Sequence, residues 1–233
     1  MEKSKNQLKR EAKAKRRLET RSEWLQQIKQ KRKERKEKRK EQGLPTHNRK
    51  KIEQLEKRFN ICIDIIPDLM NEREQKSLSR QIGKCYAANN RIRQPCNLIL
   101  SNLNDFPLNS ENWKCKILND SILNSEDTKK LVYLTADSEN ILEELNEEDV
   151  YIIGGLVDKN RHKGLCKELA IKNEIRHAQL PISQHLRLIG SRILTVNQVF
   201  DILLDKIGGK EWKDCFESIP QRKITSELKK DKE

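Results

Sequence analysis

Apolar residues are distributed along the chain in two regimes. Residues 1–42 are almost continuously polar: Leu18, Leu25 and Ile28 make a thin stripe, and residues 31–40 hold no apolar side chain. This segment has no Pro or Gly and is dominated by Lys, Arg, Glu, Gln and Ala. Such residues favour helix, so the pattern predicts a charged helix, poorly anchored and partly frayed. Gly43, Pro45 and Asn48 then predict a linker.

From residue 59 the apolar positions become periodic. Residues 59–66 (FNICIDII) alternate and stop at Pro67, which predicts a strand. Leu78, Ile82 and Tyr86 fall at helical spacing within residues 71–88. A second strand is expected at 96–103, a loop at 104–112 and a third strand at 113–118. Residues 131–135 (LVYLT) read as a strand, and Asp137 and Ser138 as caps of a helix over 139–145. Residues 150–157 predict a buried strand, 158–164 a loop, and 167–174 a short helix. A strand interrupted by Pro181 is expected at 177–182. Residues 196–207 (VNQVFDILLDKI) are amphipathic and helical, ending at Gly208 and Gly209; Trp212 and Phe216 supply a further apolar face. Strands alternating with helices predict an α/β domain with a mainly parallel sheet. Ligands in such sheets bind beyond the carboxyl ends of the strands, which points to the ends of 131–135 and 150–157.

Charge separates the two regimes further. Residues 1–58 hold 23 Lys and Arg against 9 Asp and Glu, a net of +14, whereas the remaining 175 residues carry a net of −1. The basic block is too one-sided for simple pairing along a helix and reads as an arm for a polyanion, with nucleic acid the natural partner. The expected organisation is a basic arm and linker over 1–58, an α/β domain over 59–223, and a charged tail over 224–233. The six cysteines include no CxxC pair and only four histidines accompany them. A structural zinc site is therefore unsupported, and no metal is expected. No apolar run approaches the roughly 20 residues needed to span a bilayer. The first residues lack an apolar signal core, and Glu2, Glu11, Glu19 and Glu23 disfavour an acid-poor mitochondrial leader. The expected location is nuclear, cytoplasmic or both.

Three segments could carry chemistry. The first is Leu134, Thr135, Ala136 and Asp137 at one strand end. The second is residues 154–158, where Gly154 and Gly155 interrupt a strand just before Asp158; glycine within a strand often marks a close approach. The third is residues 191–197, a loop entering a helix. No GxGxxG or Walker-type loop is present, which disfavours dinucleotide and P-loop sites. Asp158 follows a buried strand directly and should project at the ligand edge. By position alone, an Asp there more often accepts a hydrogen bond from its own loop.

The ordered segments ICIDI (61–65), RQIGKCYAANNR (80–91), LVYLTADSEN (131–140), VYIIGGLVDKNRHKG (150–164), HAQLPI (177–182), SRILTVNQVFDIL (191–203) and IPQRK (219–223) resemble the tRNA (purine position 9) N1-methyltransferases of the SPOUT class. The resemblance runs from about residue 61 to 223; residues 104–125 and 185–190 fit it weakly. It implies a trefoil-knotted α/β domain behind a basic helical arm, acting as a monomer. It also implies S-adenosylmethionine (S-adenosyl-L-methionine) held in the knot, largely by backbone atoms, at Leu134, Gly155, Lys159, Asn160, Arg161, His162, Lys163, Cys166, Leu180, Arg192, Ile193 and Leu194. Asp158 takes the position of a proposed general base, and Asp64 and Gln81 match positions on the substrate side. Guanine N1 carries a proton at neutral pH, so a placed carboxylate could accept it; adenine N1 has a free lone pair and needs no base. In the arm, Arg16, Arg17, Lys31, Arg32 and Lys33 are the expected contacts to tRNA phosphates. The competing expectation is a non-catalytic RNA-binding subunit of a tRNA-processing complex on the same scaffold; the intact GGLVD and LTVN segments argue against it.

Overall fold

The structure is a computed structural model, described here for residues 5–43, 52–104, 106–125, 127–158, 161–186, 193–220 and 224; within the first helix, side chains are described for residues 9, 20, 21 and 23–43. The chain divides into two compact units, Met1–Lys51 and Ile52–Glu233.

The first unit is one long helix, α1 (Lys5–Glu41). At about 1.5 Å per residue it spans roughly 55 Å. Lys38, Arg39 and Lys40 occupy its last turn, where the partial negative charge of the helix end favours cations. Lys31, Arg32 and Lys33 are exposed, and the side chains of Arg16 and Arg17 lie outside those described.

The second unit starts seven residues before the change in charge. Residues 52–58 are extended along the 89–94 turn: Leu55 N–H donates to Arg93 O at 2.8 Å, and the Gln94 amide donates to Glu56 O at 2.8 Å. Six strands follow: β1 (Asn60–Ile65), β2 (Asn97–Ser101), β3 (Lys116–Ile117), β4 (Leu131–Leu134), β5 (Val150–Gly155) and β6 (Arg176–Ala178). They form one sheet in the order β3-β2-β1-β5-β4-β6, and every strand pair is parallel. Parallel strands covered on both faces read as nearly continuous apolar runs, as in ICIDI and VYIIGG.

The helices are α2 (Glu72–Asn89), α3 (Leu165–Lys172), α4 (Ile182–His185), α5 (Val196–Ile207) and α6 (Trp212–Cys215). Alternation along the strands sends Ile61, Ile63, Tyr151 and Ile153 to one face, against Leu78 and Ile82 of α2 and Phe200, Leu203 and Leu204 of α5. Cys62, Ile99, Tyr133 and Ile152 point to the other face, which Ala170 of α3 covers. The α2 start is set by Asn71, whose side chain accepts from Arg73 N and Glu74 N, while Glu74 accepts from Asn71 N at 3.0 Å. This reciprocal cap satisfies three backbone donors at the helix end.

Two sequence expectations differ from the structure. The predicted 113–118 strand is reduced to two exposed residues at the sheet edge, because Trp113 instead stacks on Tyr86 with ring centroids 4.3 Å apart. The predicted helix over 139–145 does not form. Ser138, expected to cap it, turns its hydroxyl to His177 Nδ1 at 2.8 Å, and the backbone of 140–142 exchanges bonds with Gln179. The interruption expected at Pro181 is present: β6 ends at Ala178 and α4 begins at Ile182. Residues 187–192, which join α4 to the segment leading into α5, lie outside the described residues.

Candidate active site

Beyond the carboxyl ends of β4 and β5 lies a cavity of about 550 Å³. All three segments singled out in the sequence reach it. Leu134, Thr135, Ala136 and Asp137 leave β4; Ile153, Gly154, Leu156 and Asp158 leave β5; Ile193, Leu194 and Val196 lead into α5. Leu180, Ile182, Ser183 and Leu186 close it from the β6–α4 segment, and His162, Gly164, Leu165 and Cys166 from the start of α3. The walls are mostly aliphatic, with Thr135, Asp137, Asp158, His162, Gln179 and Ser183 as the polar exceptions.

Each wall is fixed by local bonding. The β4 exit is tied to β6 by Thr135 N–H donating to Ala178 O at 2.9 Å, and by the Gln179 amide donating to Ser138 O at 2.6 Å. After β5 the chain turns sharply, with Leu156 N–H on Gly154 O at 3.0 Å. Asp158 is half-buried, and its Oδ2 accepts from His162 N–H at 2.8 Å. It is thus a loop acceptor that also faces the cavity. Gly164 caps α3 with φ of +75°, a backbone state that side chains disfavour. The α5 entry is held by Gln81, whose Oε1 accepts from Val196 N–H at 3.0 Å.

Of the expected cofactor positions, Leu134, His162, Cys166, Leu180, Ile193 and Leu194 line the cavity, together with Asp158. Lys159, Asn160 and Arg192 lie outside the described residues, and Lys163 is exposed and not among the lining residues. Arg161 turns away: its Nη2 donates to Glu74 Oε2 at 2.8 Å and to Leu69 O at 3.3 Å. The two glycines are accounted for differently than the resemblance implies. A Cβ on Gly155 would stand 2.8 Å from Asp64 O and 2.9 Å from Ile65 Cα, so that glycine admits the backbone of β1. A Cβ on Gly154 would meet the Cys166 sulfur at 2.7 Å. Neither bare Cα is kept for a ligand alone.

The two substrate-side positions are inward. Asp64 is 2% exposed. Its Oδ1 accepts from Ser101 Oγ at 2.6 Å and Ser121 Oγ at 2.9 Å, and burial raises its carboxyl above the ordinary value against those bonds. Gln81 is the α5 tether just described. Burial pushes the Cys166 thiol up to about 11. Sequence reasoning passed over Ser183, Leu186 and Val199 in the lining. Val199 stands one turn after Val196 on α5, so helical spacing could have nominated it; Ser183 lies in α4 and Leu186 caps it, past the strand expected at 177–182. Among the described residues no cluster of three or more His, Cys, Asp or Glu could hold a metal, and no helix is long and apolar enough to cross a membrane.

Comparison with known proteins agrees with this architecture. A solved complex described as full-length spTrm10 with SAH superposes with a TM-score of 0.65 at 38% identity, covering 73% of this chain and 99% of that one. A Trm10 from Thermococcus kodakaraensis shares the fold at 18% identity and a TM-score of 0.52, covering 69% of this chain and 99% of that one. The tRNA (guanine(9)-N1)-methyltransferase of Schizosaccharomyces pombe is 41% identical over 169 residues, covering 67% of this chain and 56% of that protein. The tRNA methyltransferase 10 homolog A of Xenopus tropicalis is 38% identical over 199 residues, covering 78% and 59%. The human homolog A is 36% identical over 193 residues, covering 76% and 56%. The chain therefore spans a little over half the length of these relatives. A family model described as tRNA (guanine(9)-N(1))-methyltransferase TRM10/TRM10A matches residues 1–224, and the chain belongs to that family.

Proposed function

We propose that this chain transfers a methyl group from S-adenosylmethionine to N1 of the guanine at position 9 of tRNA. The observation that carries the reading is the cavity at the ends of β4 and β5, in a chain that superposes over 73% of its length on the spTrm10–SAH complex. The residues present suit the cofactor. The volume lies in the range of ligand pockets. Leu134, Leu180, Leu194 and Val199 offer apolar surface for a purine, and Asp137 and Asp158 offer negative charge toward a cationic sulfonium. When bound, S-adenosylmethionine supplies an electrophilic methyl. The chain supplies position and a base. Asp158 accepts the N1 proton of guanine as the ring nitrogen attacks, and His162 N–H holds the carboxylate in place.

The α1 arm contributes phosphate contacts through exposed cations such as Lys31, Arg32 and Lys33. Deleting residues 1–42 lowers tRNA affinity and flattens its salt dependence; equal salt slopes with and without the arm would refute that role. On the family resemblance the chain acts as a monomer with the cofactor in a trefoil knot, and its composition fits the nucleus, the cytoplasm or both. The reading is tested by incubating the chain with S-adenosylmethionine and a tRNA transcript bearing guanine at position 9, then mapping the product by nuclease digestion and mass spectrometry. One methyl on guanine 9 is expected; a methyl elsewhere, or none, overturns the assignment.

A further inference from the structure

The turn that carries Asp158 is anchored from outside the cavity. Among the described residues, no member of α2 lines the cavity, yet Glu74 of α2 holds Arg161, which bonds back to Asp158. Glu74 Oε2 pairs with Arg161 Nη2 at 2.8 Å, and the Glu74 side chain is only 12% exposed. The same guanidinium nitrogen also donates to Leu69 O at 3.3 Å, in the turn between β1 and α2. Arg161 N–H bonds back to Asp158 O at 3.3 Å, and the next residue, His162, donates its N–H to the Asp158 carboxylate. The contacts therefore run from Glu74 to Arg161, and from the backbone of Arg161 and His162 to Asp158.

We propose that Glu74 is a positioning residue: by holding Arg161 it fixes the Arg161 and His162 N–H groups that bond to Asp158, and so the direction of the Asp158 carboxylate. This rests on the proposed reaction and extends it to a residue outside the cavity. Glu74 has a second duty, as the partner of Asn71 in the α2 cap. A glutamine can serve that cap equally but removes the charge from the bond to Arg161, which weakens it. Glu74→Gln thus separates the two duties. Glu72→Gln is the control: it removes the same charge from the same helical turn, where among the described residues Glu72 pairs with exposed Lys76 at 3.4 Å.

The test has two readouts on the full chain. Without ligand, amide exchange at Arg161 and His162 should rise about tenfold in Glu74→Gln, the size expected for weakening one charge-assisted bond, and stay unchanged in Glu72→Gln. With S-adenosylmethionine and tRNA, kcat should fall roughly tenfold in Glu74→Gln while KM for tRNA is unchanged. Arg161→Gln should match it, and the double variant should be no worse than either single one, because one contact is removed twice. Unchanged exchange at His162 in Glu74→Gln, or additive losses in the double variant, overturns the proposal. Failure of the parent chain to bind S-adenosylhomocysteine by calorimetry would instead overturn the functional reading, independently of the exchange result.

Discussion

The two seams flanking β5 end in opposite ways. Toward β1 the sheet is sealed. Gly155 lets the β1 backbone approach within the space of a missing Cβ, Ile66 N–H donates to Gly155 O at 3.1 Å, and Asp64 is bonded to two serines below. Toward β4 the chains part into the cavity, and Asp158 faces it half-exposed. Two carboxylates at neighbouring strand ends thus do different work. Asp64 ties β1 to Ser101 of β2 and to Ser121, whereas Asp158 lines the cavity. A parallel sheet offers every strand end as a possible site, and packing decides which seam opens.

The largest effect on folding that would test this contrast comes from the glycines. Gly155→Ala places a methyl against fixed backbone and should lower unfolding stability by about 3 kcal/mol, the upper range for overpacking. Gly154→Ala meets the Cys166 sulfur, a side-chain atom that can rotate away, and should lower it by only about 1 kcal/mol. Adding Cys166→Ala should restore most of that loss. Urea denaturation measures all three; equal losses at the two glycines would erase the distinction between the seams.

Thiol labelling gives an intermediate effect. Cys166 lines the open seam with a thiol near 11, while Cys62 in the sealed seam is fully buried with its thiol pushed up to about 12. Only the thiolate reacts. Alkylation at Cys166 should therefore be slow at neutral pH, accelerate about tenfold per pH unit, and stop when S-adenosylhomocysteine is added. Cys62 should stay unmodified until the protein unfolds. Peptide mapping that finds the two labelled together contradicts the seam assignment.

The smallest effect is electrostatic. Burial raises the Asp64 carboxyl above 3.8, so the folded state holds this proton more tightly than the unfolded chain. Its contribution is present in full below the unfolded value and is lost as pH rises through the raised one. The stability of the parent relative to Asp64→Asn should accordingly fall as pH rises above 3.8. A flat difference, or one that grows with pH, contradicts the buried placement.

Much of this architecture was legible in the chain. The α5 helix occupies 196–207 as its apolar spacing requires, and the parallel sheet follows from the alternation of strands and helices. The three segments nominated for chemistry share one cavity because strand ends and the helix entry converge there. What was illegible depends on partners distant in sequence. The helix expected at 139–145 lost to bonds from His177 and Gln179, nearly forty residues away. Nothing local announces that Glu74 holds Arg161, 87 residues on. Gly155 announced a close approach without saying whether strand or ligand makes it.

The central claim is that Asp158, at the open seam, serves as the base. Asparagine at this position keeps an oxygen to accept from His162 N–H, so the turn survives while the base is removed. With guanine at position 9, Asp158→Asn should lower single-turnover methylation by about 10²–10⁴-fold, the usual worth of a placed base, with S-adenosylhomocysteine affinity and melting temperature near those of the parent. Guanine turnover equal to the parent's would contradict the assignment.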